Sequence, residues 1–228
     1  MTFPGELLAP PNHFWGGRSN RNKGARVAYR TRVFIDFWNF TLNWRDRAPE
    51  GARLDWPLVP RTLLDEAKKK LEAAGIQESL TLEETLVYAS YNPRTDGKLK
   101  GWLDGFLDKQ PSFRVNIRER RSKRRTIHCS GCGKDNDACA GCGEPFMWAP
   151  EKGVDTAIVT DLMSLASEDA FDVAVLLSSD ADHIPAVEWV QSRGRKVVNA
   201  TWSHHGFDLA KTSWATFELD SVIPLLTR

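Results

Sequence analysis

The sequence predicts an α/β fold in which a parallel sheet carries helices on both faces. Three observations lead there. Short apolar runs rich in Val, Ile and Phe alternate with segments whose apolar residues recur at helical spacing. Their order is strand–helix–strand–helix–strand, then helix–strand–helix–strand, as in successive crossover units. The strand-like runs are also nearly continuous in apolar residues, as strands covered on both faces are.

Residues 1–30 read as an irregular basic arm, with Pro4, Pro10 and Pro11 followed by Arg18, Arg21, Lys23, Arg26 and Arg30 without periodicity. A solvated tail and an arm that touches nucleic acid both fit it. Arg32–Asn39 (RVFIDFWN) is a strand-like run ending in a carboxylate and an amide. Leu58–Ala74 is a helix, with Val59, Leu63, Ala67 and Leu71 on one face and Gly75 closing it. Glu83–Tyr91 is the second strand, and Asp96–Lys109 the second amphipathic helix, with Leu99, Trp102, Leu103 and Phe106. Phe113–Glu119 alternates Phe113, Val115 and Ile117 with polar residues and reads as the third strand. After a cysteine-rich interruption come a helix at Val154–Ala166, a strand at Asp172–Leu177, a helix at Ile184–Ser192 and a strand at Lys196–Thr201.

The 228-residue chain is 41% hydrophobic and 27% charged, which excludes a fibrous or largely disordered protein. Its formal net charge of +1 excludes a protein that is basic throughout, so a polyanion would have to be met by a local patch. There is neither a spanning apolar run nor a basic-then-apolar start, so no membrane segment or secretory signal is expected and the cytoplasm is the expected compartment.

In an open parallel sheet, ligands bind beyond the carboxyl ends of the strands, where the strand order reverses. Two strands end in acids there: Val33-Phe34-Ile35-Asp36, followed by Asn39, and Leu176-Leu177-Ser178-Ser179-Asp180-Ala181-Asp182. Asp155 opens a helix, and Asp161 lies on that helix about 20° from Val154, on the stripe that should face the sheet. Each acid alone has a plain structural reading: a hydrogen-bonded strand end for Asp36, a first-turn acid for Asp155 and helix caps for Asp180 and Asp182. Together they would repel one another without a cation, and an oxygen-only set suits Mg²⁺ or Mn²⁺. Such a site serves phosphodiester hydrolysis.

These residues resemble the NYN domain, a PIN-like nuclease family, whose pattern is I-D-x-x-N, then K-G-V-D with an Asp further along the helix, then S-G-D-x-D. Here the matches are Ile35-Asp36-Phe37-Trp38-Asn39, then Glu151-Lys152-Gly153-Val154-Asp155 with Asp161, then Ser178-Ser179-Asp180-Ala181-Asp182. The resemblance implies a Rossmann-like fold over residues 31–228 and a metal-dependent ribonuclease. By position it makes Asp36, Asp155 and Asp180 metal ligands and Asp182 a ligand or water orienter. Asn39 would orient the phosphate, and Asp161 would contact the metal or the groups that hold it. Ser179 departs from the usual Gly, and His183 stands where Phe is common. Trp38 is bulkier than usual, and both packing inside and stacking on a base fit it.

All four cysteines fall in one window, as Cys129-Ser-Gly-Cys132 and Cys139-Ala-Gly-Cys142. Paired Cys-x-x-Cys turns in a chain with no export signal favour a structural four-thiolate Zn²⁺ site over disulfides, in a ribbon inserted at about 120–150. Just before it stand Arg114, Arg118, Arg120, Arg121, Lys123, Arg124 and Arg125, seven cations in twelve residues. A phosphate-binding ribbon beside the active site and a solvated strand both fit them. His204 and His205 read as surface or packing residues, with a proton shuttle or phosphate contact as the functional alternative.

The function expected is a Mg²⁺- or Mn²⁺-dependent endoribonuclease whose partner is RNA or single-stranded DNA. The alternatives are an RNA-binding regulator with a degenerate site and a zinc-ribbon adaptor for a protein partner. A homo-oligomer is compatible with all three.

Overall fold

The structure, a computed structural model, describes residues 28–228. The basic arm lies outside the described residues up to position 27. From Ala28 onward the chain is already in the first strand, so the arm as read ends three residues too late.

β1 (Ala28–Asp36) leads directly into α1 (Phe37–Arg47). Phe37–Asn39 is therefore the first turn of a helix and not the end of the strand. The reason is local: the Asp36 carboxylate accepts the Asn39 N–H and caps the helix. Phe37, Phe40 and Trp44 then recur at helical spacing on its buried face. α2 (Val59–Ala73), β2 (Ser79–Tyr91), α3 (Gly97–Gly105) and β3 (Phe113–Glu119) complete the first half. The helix read across Asp96–Lys109 breaks after Gly105, and Leu107–Lys109 is a separate 3-10 turn.

The insert follows, built from two short antiparallel ladders. β4 (Lys123–Arg124) pairs with β7 (Met147–Trp148), and β5 (Ile127–His128) pairs with β6 (Asp135–Asn136). The second half runs α4 (Val154–Ser167), β8 (Val173–Leu177), α5 (Ile184–Ser192), β9 (Lys196–Thr201), α6 (Phe207–Thr212), β10 (Ala215–Glu218) and α7 (Ile223–Leu226).

The six-stranded sheet has the order β10-β9-β8-β1-β2-β3, and every pairing in it is parallel. The chain builds outward from β1 in one direction and then, from β8, in the other. The reversal therefore falls between β1 and β8, where a crevice opens. Pleating divides the core. Val33, Ile35, Val173, Val175 and Leu177 face the layer of α1, α2 and α7. Phe34, Ala174 and Leu176 face α4, α5 and α6. Five residues of β8 in a row are buried, as expected of a central parallel strand. Of the tryptophans, Trp44, Trp56 and Trp202 are buried, with Phe37 stacked on Trp56 and Phe40 on Trp202. No helix of the described residues is long and apolar enough to cross a membrane.

Candidate metal centre

Ile35 lies beside Leu177 in the β1–β8 pairing, so the chain delivers Asp36 and Ser178 side by side at the carboxyl edge of the sheet. Asp36 is 7% exposed. One of its oxygens takes the Asn39 N–H at 3.1 Å, and the other accepts from the Ser178 hydroxyl at 3.4 Å. Burial pushes its carboxyl up to about 7 against the opposing Asn39 hydrogen bond, and the charges of Glu151, Asp155 and Asp180 push the same way.

α4 brings Asp155 to the crevice in its first turn, after Gly153 has turned the chain with φ of 81°. Burial, with Asp180 and Asp182 behind it, also holds the Asp155 carboxyl above the usual range, while His183 opposes the rise. Asp180 accepts the Asp182 N–H at 2.9 Å and so caps the short turn Ala181–His183. Its own N–H rests on the Ser178 hydroxyl at 3.2 Å. Asp182 is exposed at the rim.

That turn carries His183 inward. The ring is fully buried and neither nitrogen has a hydrogen-bond partner. Burial lowers its pKa against the raising influence of Asp155, Asp180 and Asp182. One atom each from Asp36, Asp155 and His183 lies within 4.8 Å of the others. Among the described residues this is the set of donors that could hold a metal ion, and its chemistry fits one: two carboxylates short of positive charge and a nitrogen lone pair short of a partner.

The sequence missed two of the groups here. His183 was visible only as a departure from Phe. Glu151, whose charge is the foremost acting on Asp36, stands in the sequence only as the residue before Lys152-Gly153-Val154-Asp155. Glu151 accepts from the Ser90 hydroxyl at 2.7 Å and pairs with Arg120 at 3.2 Å.

Other expected site residues have partners of their own. The Asn39 side-chain carbonyl accepts the Ser179 N–H at 3.2 Å, so that oxygen is engaged with the loop after β8. Asp161 accepts the Tyr88 hydroxyl at 2.8 Å, which explains a carboxylate on the buried stripe of α4. It lines a separate groove of about 470 Å³ with Asn116, Arg118, Lys152 and Thr156. Trp38 packs rather than projects: its indole N–H donates to the Ser90 carbonyl at 2.7 Å, and Arg120 lies over its ring at 5.0 Å.

The seven cations also divide. Arg120 is committed to Ser90, Glu151 and Trp38. Arg114 pairs with Glu84, and Arg125 lies over Trp148 at 5.6 Å. Arg118, Arg121, Lys123 and Arg124 are exposed.

In the insert, the two cysteine pairs form matching knuckles ten residues apart. Gly133 donates to Cys129 as Gly143 does to Cys139, at 2.8 Å each, and Cys129 and Cys139 donate to Lys134 and Glu144. Backbone N–H groups aimed at Cys129 and Cys139 hold both thiols below their usual pKa. No three of the four sulfurs meet within 4.8 Å, so the knuckles stand as two pairs.

Beyond the crevice, β9 leads into the exposed His204 and His205, and Gly206 then passes against the loop after β8. A Cβ on Gly206 would sit 2.8 Å from the Ser179 Cα, and φ there is +65°. Ser179 is further tied through its hydroxyl to Thr201 at 3.0 Å.

No curated protein matches the chain. Among solved structures, a Vibrio parahaemolyticus protein of unknown function overlaps 86% of this chain and 95% of its own, at 16% identity and a TM-score of 0.51, a likeness of fold alone. A structure titled for the mechanism and regulation of Sir2 enzymes covers 88% of this chain and 90% of its own, at 11% identity, but its TM-score of 0.32 is too low to carry an argument. The profile of the NYN domain matches residues 30–211, a span that holds both strand ends, the start of α4, the cysteine knuckles and every acid described above. The chain belongs to the NYN domain family.

Proposed function

We propose that the protein is a divalent-metal-dependent endoribonuclease acting at the crevice between β1 and β8. NYN domains are typically nucleases. The observation that carries the reading is the convergence of Asp36, Asp155 and His183 within 4.8 Å, with Asp180 beside them. Asp36, Asp155 and Asp180 would hold a cation such as Mg²⁺ or Mn²⁺, which would orient the phosphodiester, acidify a water and offset charge on the leaving oxygen.

The chain's own groups do the rest. Ser178 and the Asn39 N–H fix the Asp36 carboxylate. Asn39 holds the loop that presents Asp180. Asp182, exposed at the rim, orients water. Arg118, Arg121, Lys123 and Arg124 take backbone phosphates leading to the crevice, which gives affinity without sequence preference. In the insert, Cys129, Cys132, Cys139 and Cys142 would hold one structural Zn²⁺, which would tie the two knuckles together and stiffen the basic ribbon.

The test is incubation with a pool of RNAs and matched single-stranded DNAs in Mn²⁺, with product ends mapped. Internal cuts in RNA that vanish in Asp36→Asn are expected. Retention of RNA without cleavage would replace the enzyme with an RNA-binding regulator.

A further inference from the structure

We propose that His183 supplies a nitrogen ligand at this centre. Asp36, Asp155 and His183 would then form a mixed carboxylate–imidazole site that takes a divalent transition ion such as Mn²⁺ in preference to Mg²⁺. The proposal rests on the nuclease reading only for the place of the metal; it concerns the class of ion that the donors select.

Three observations carry it. The His183 ring is fully buried, and both nitrogens lack a partner. A buried polar atom left unpaired is destabilising, and a Phe of similar size would pack there without that penalty. The ring also lies within 4.8 Å of the Asp36 and Asp155 oxygens without hydrogen-bonding to either, so it is not simply an ion-pair partner for them. Donors held about 2.1 Å from a common ion sit roughly 3–4 Å apart, so small side-chain movements would close this set on an ion. Finally, the donor set itself discriminates. Mg²⁺ favours oxygen and gives up water reluctantly, whereas imidazole nitrogen gains affinity from Mn²⁺ onward along the first-row series.

The chain has five histidines, which makes the assignment testable without touching His183. A variant carrying His13→Ala, His128→Ala, His204→Ala and His205→Ala leaves His183 as the sole imidazole. Loaded with one equivalent of Mn²⁺, it should show nitrogen coupling in pulsed electron paramagnetic resonance. His183→Phe should abolish that coupling and weaken Mn²⁺ binding at least tenfold, on the order of losing one ligand-side contact. Its Mg²⁺ affinity, measured by competition, should stay within about threefold. Absence of nitrogen coupling when His183 is the sole histidine overturns the proposal, whether or not His183→Phe folds. So do equal losses of Mn²⁺ and Mg²⁺ affinity in a folded His183→Phe. Nitrogen coupling without RNA cleavage upholds the ligand and removes the nuclease reading. Cleavage in Mg²⁺ without nitrogen coupling does the reverse.

Discussion

Asn39 reaches from the first turn of α1 to the Ser179 backbone, where its side-chain carbonyl accepts the N–H at 3.2 Å. The same residue's backbone N–H is bound by Asp36. One asparagine therefore couples the end of β1 to the loop after β8, across the point where strand order reverses. Asn39→Ala should cost about 1 kcal/mol of stability, the worth of one partly buried hydrogen bond. It should lower the cleavage rate roughly tenfold through misplacement of Asp180, with RNA affinity unchanged. Rate and binding measured side by side distinguish this from a phosphate contact, whose loss would weaken both.

The metal-free protein should lose stability as the pH rises toward and through neutrality. In the fold Asp36 holds its proton up to about 7, while an unfolded chain releases it near 4. Between those values the folded state binds the extra proton, so raising the pH disfavours folding. His183 pulls the opposite way, most strongly below about 6.5, where the unfolded ring is mainly charged, and weakly up to about 7.5. From pH 6.5 to 8 the Asp36 loss of about 0.8 kcal/mol outweighs an opposing gain of at most about 0.4 kcal/mol from His183, a net loss of about 0.4 kcal/mol, or roughly 1 °C in Tm. Melting curves in chelator check it; a flat profile would mean an ordinary Asp36, and saturating divalent metal should remove the slope.

Asp180→Asn should separate the chemical role of this residue from its structural one. Asn caps a helical turn about as well as Asp, so the bond to the Asp182 N–H survives and the melting temperature in chelator should hold or rise. Metal affinity should fall and cleavage should disappear. Unaltered cleavage at saturating Mn²⁺ would reduce Asp180 to a cap.

The basic ribbon should behave as two populations. Reversing Arg121, Lys123 and Arg124 together to Glu should weaken RNA binding across sequences and flatten its dependence on salt. Arg120→Ala should instead destabilise the fold, by up to about 1 kcal/mol, because it removes the partners of Ser90 and the Trp38 ring and the cation beside the solvent-screened Glu151. Equal salt slopes for the two variants would contradict this division.

Fresh reduced protein should carry about one equivalent of Zn²⁺ on the four thiolates. Cys132→Ser should lower the metal content and loosen 120–150 in hydrogen exchange, while the six-stranded sheet keeps its protection. Protein that is metal-free when isolated reduced would leave the knuckles as separate pairs.

The sheet was legible in the sequence because buried parallel strands are continuous apolar runs, and β8 is the clearest of them. α1 was not, because Phe37–Asn39 extends the apolar run of β1, and the capping bond that ends the strand depends on side-chain direction. The end of the chain gave weak signals too: α6 and α7 span six and four residues, and β10 four. At the centre, the acids that end strands could be found, since topology alone fixes where strand ends meet. Glu151 and His183 could not, because each arrives on a connection whose course depends on packing. Arg120 looked like its neighbours in the sequence; what distinguishes it is the company of Ser90, Glu151 and Trp38.

Gly206 lies in a connection whose neighbours are mostly exposed, the kind of segment in which sequence is ordinarily interchangeable. Yet its missing side chain is what lets that connection lie against Ser179, the residue that Asn39 also holds. In a library covering every substitution, this stretch should therefore tolerate change at His205 and Phe207 and reject it at the position between them, while His204, with φ of 65°, should accept Gly and Asn and refuse β-branched residues. Even Ala at 206 would press on the loop that carries Asp180, so the mutational map of a surface turn would trace the outline of the centre behind it.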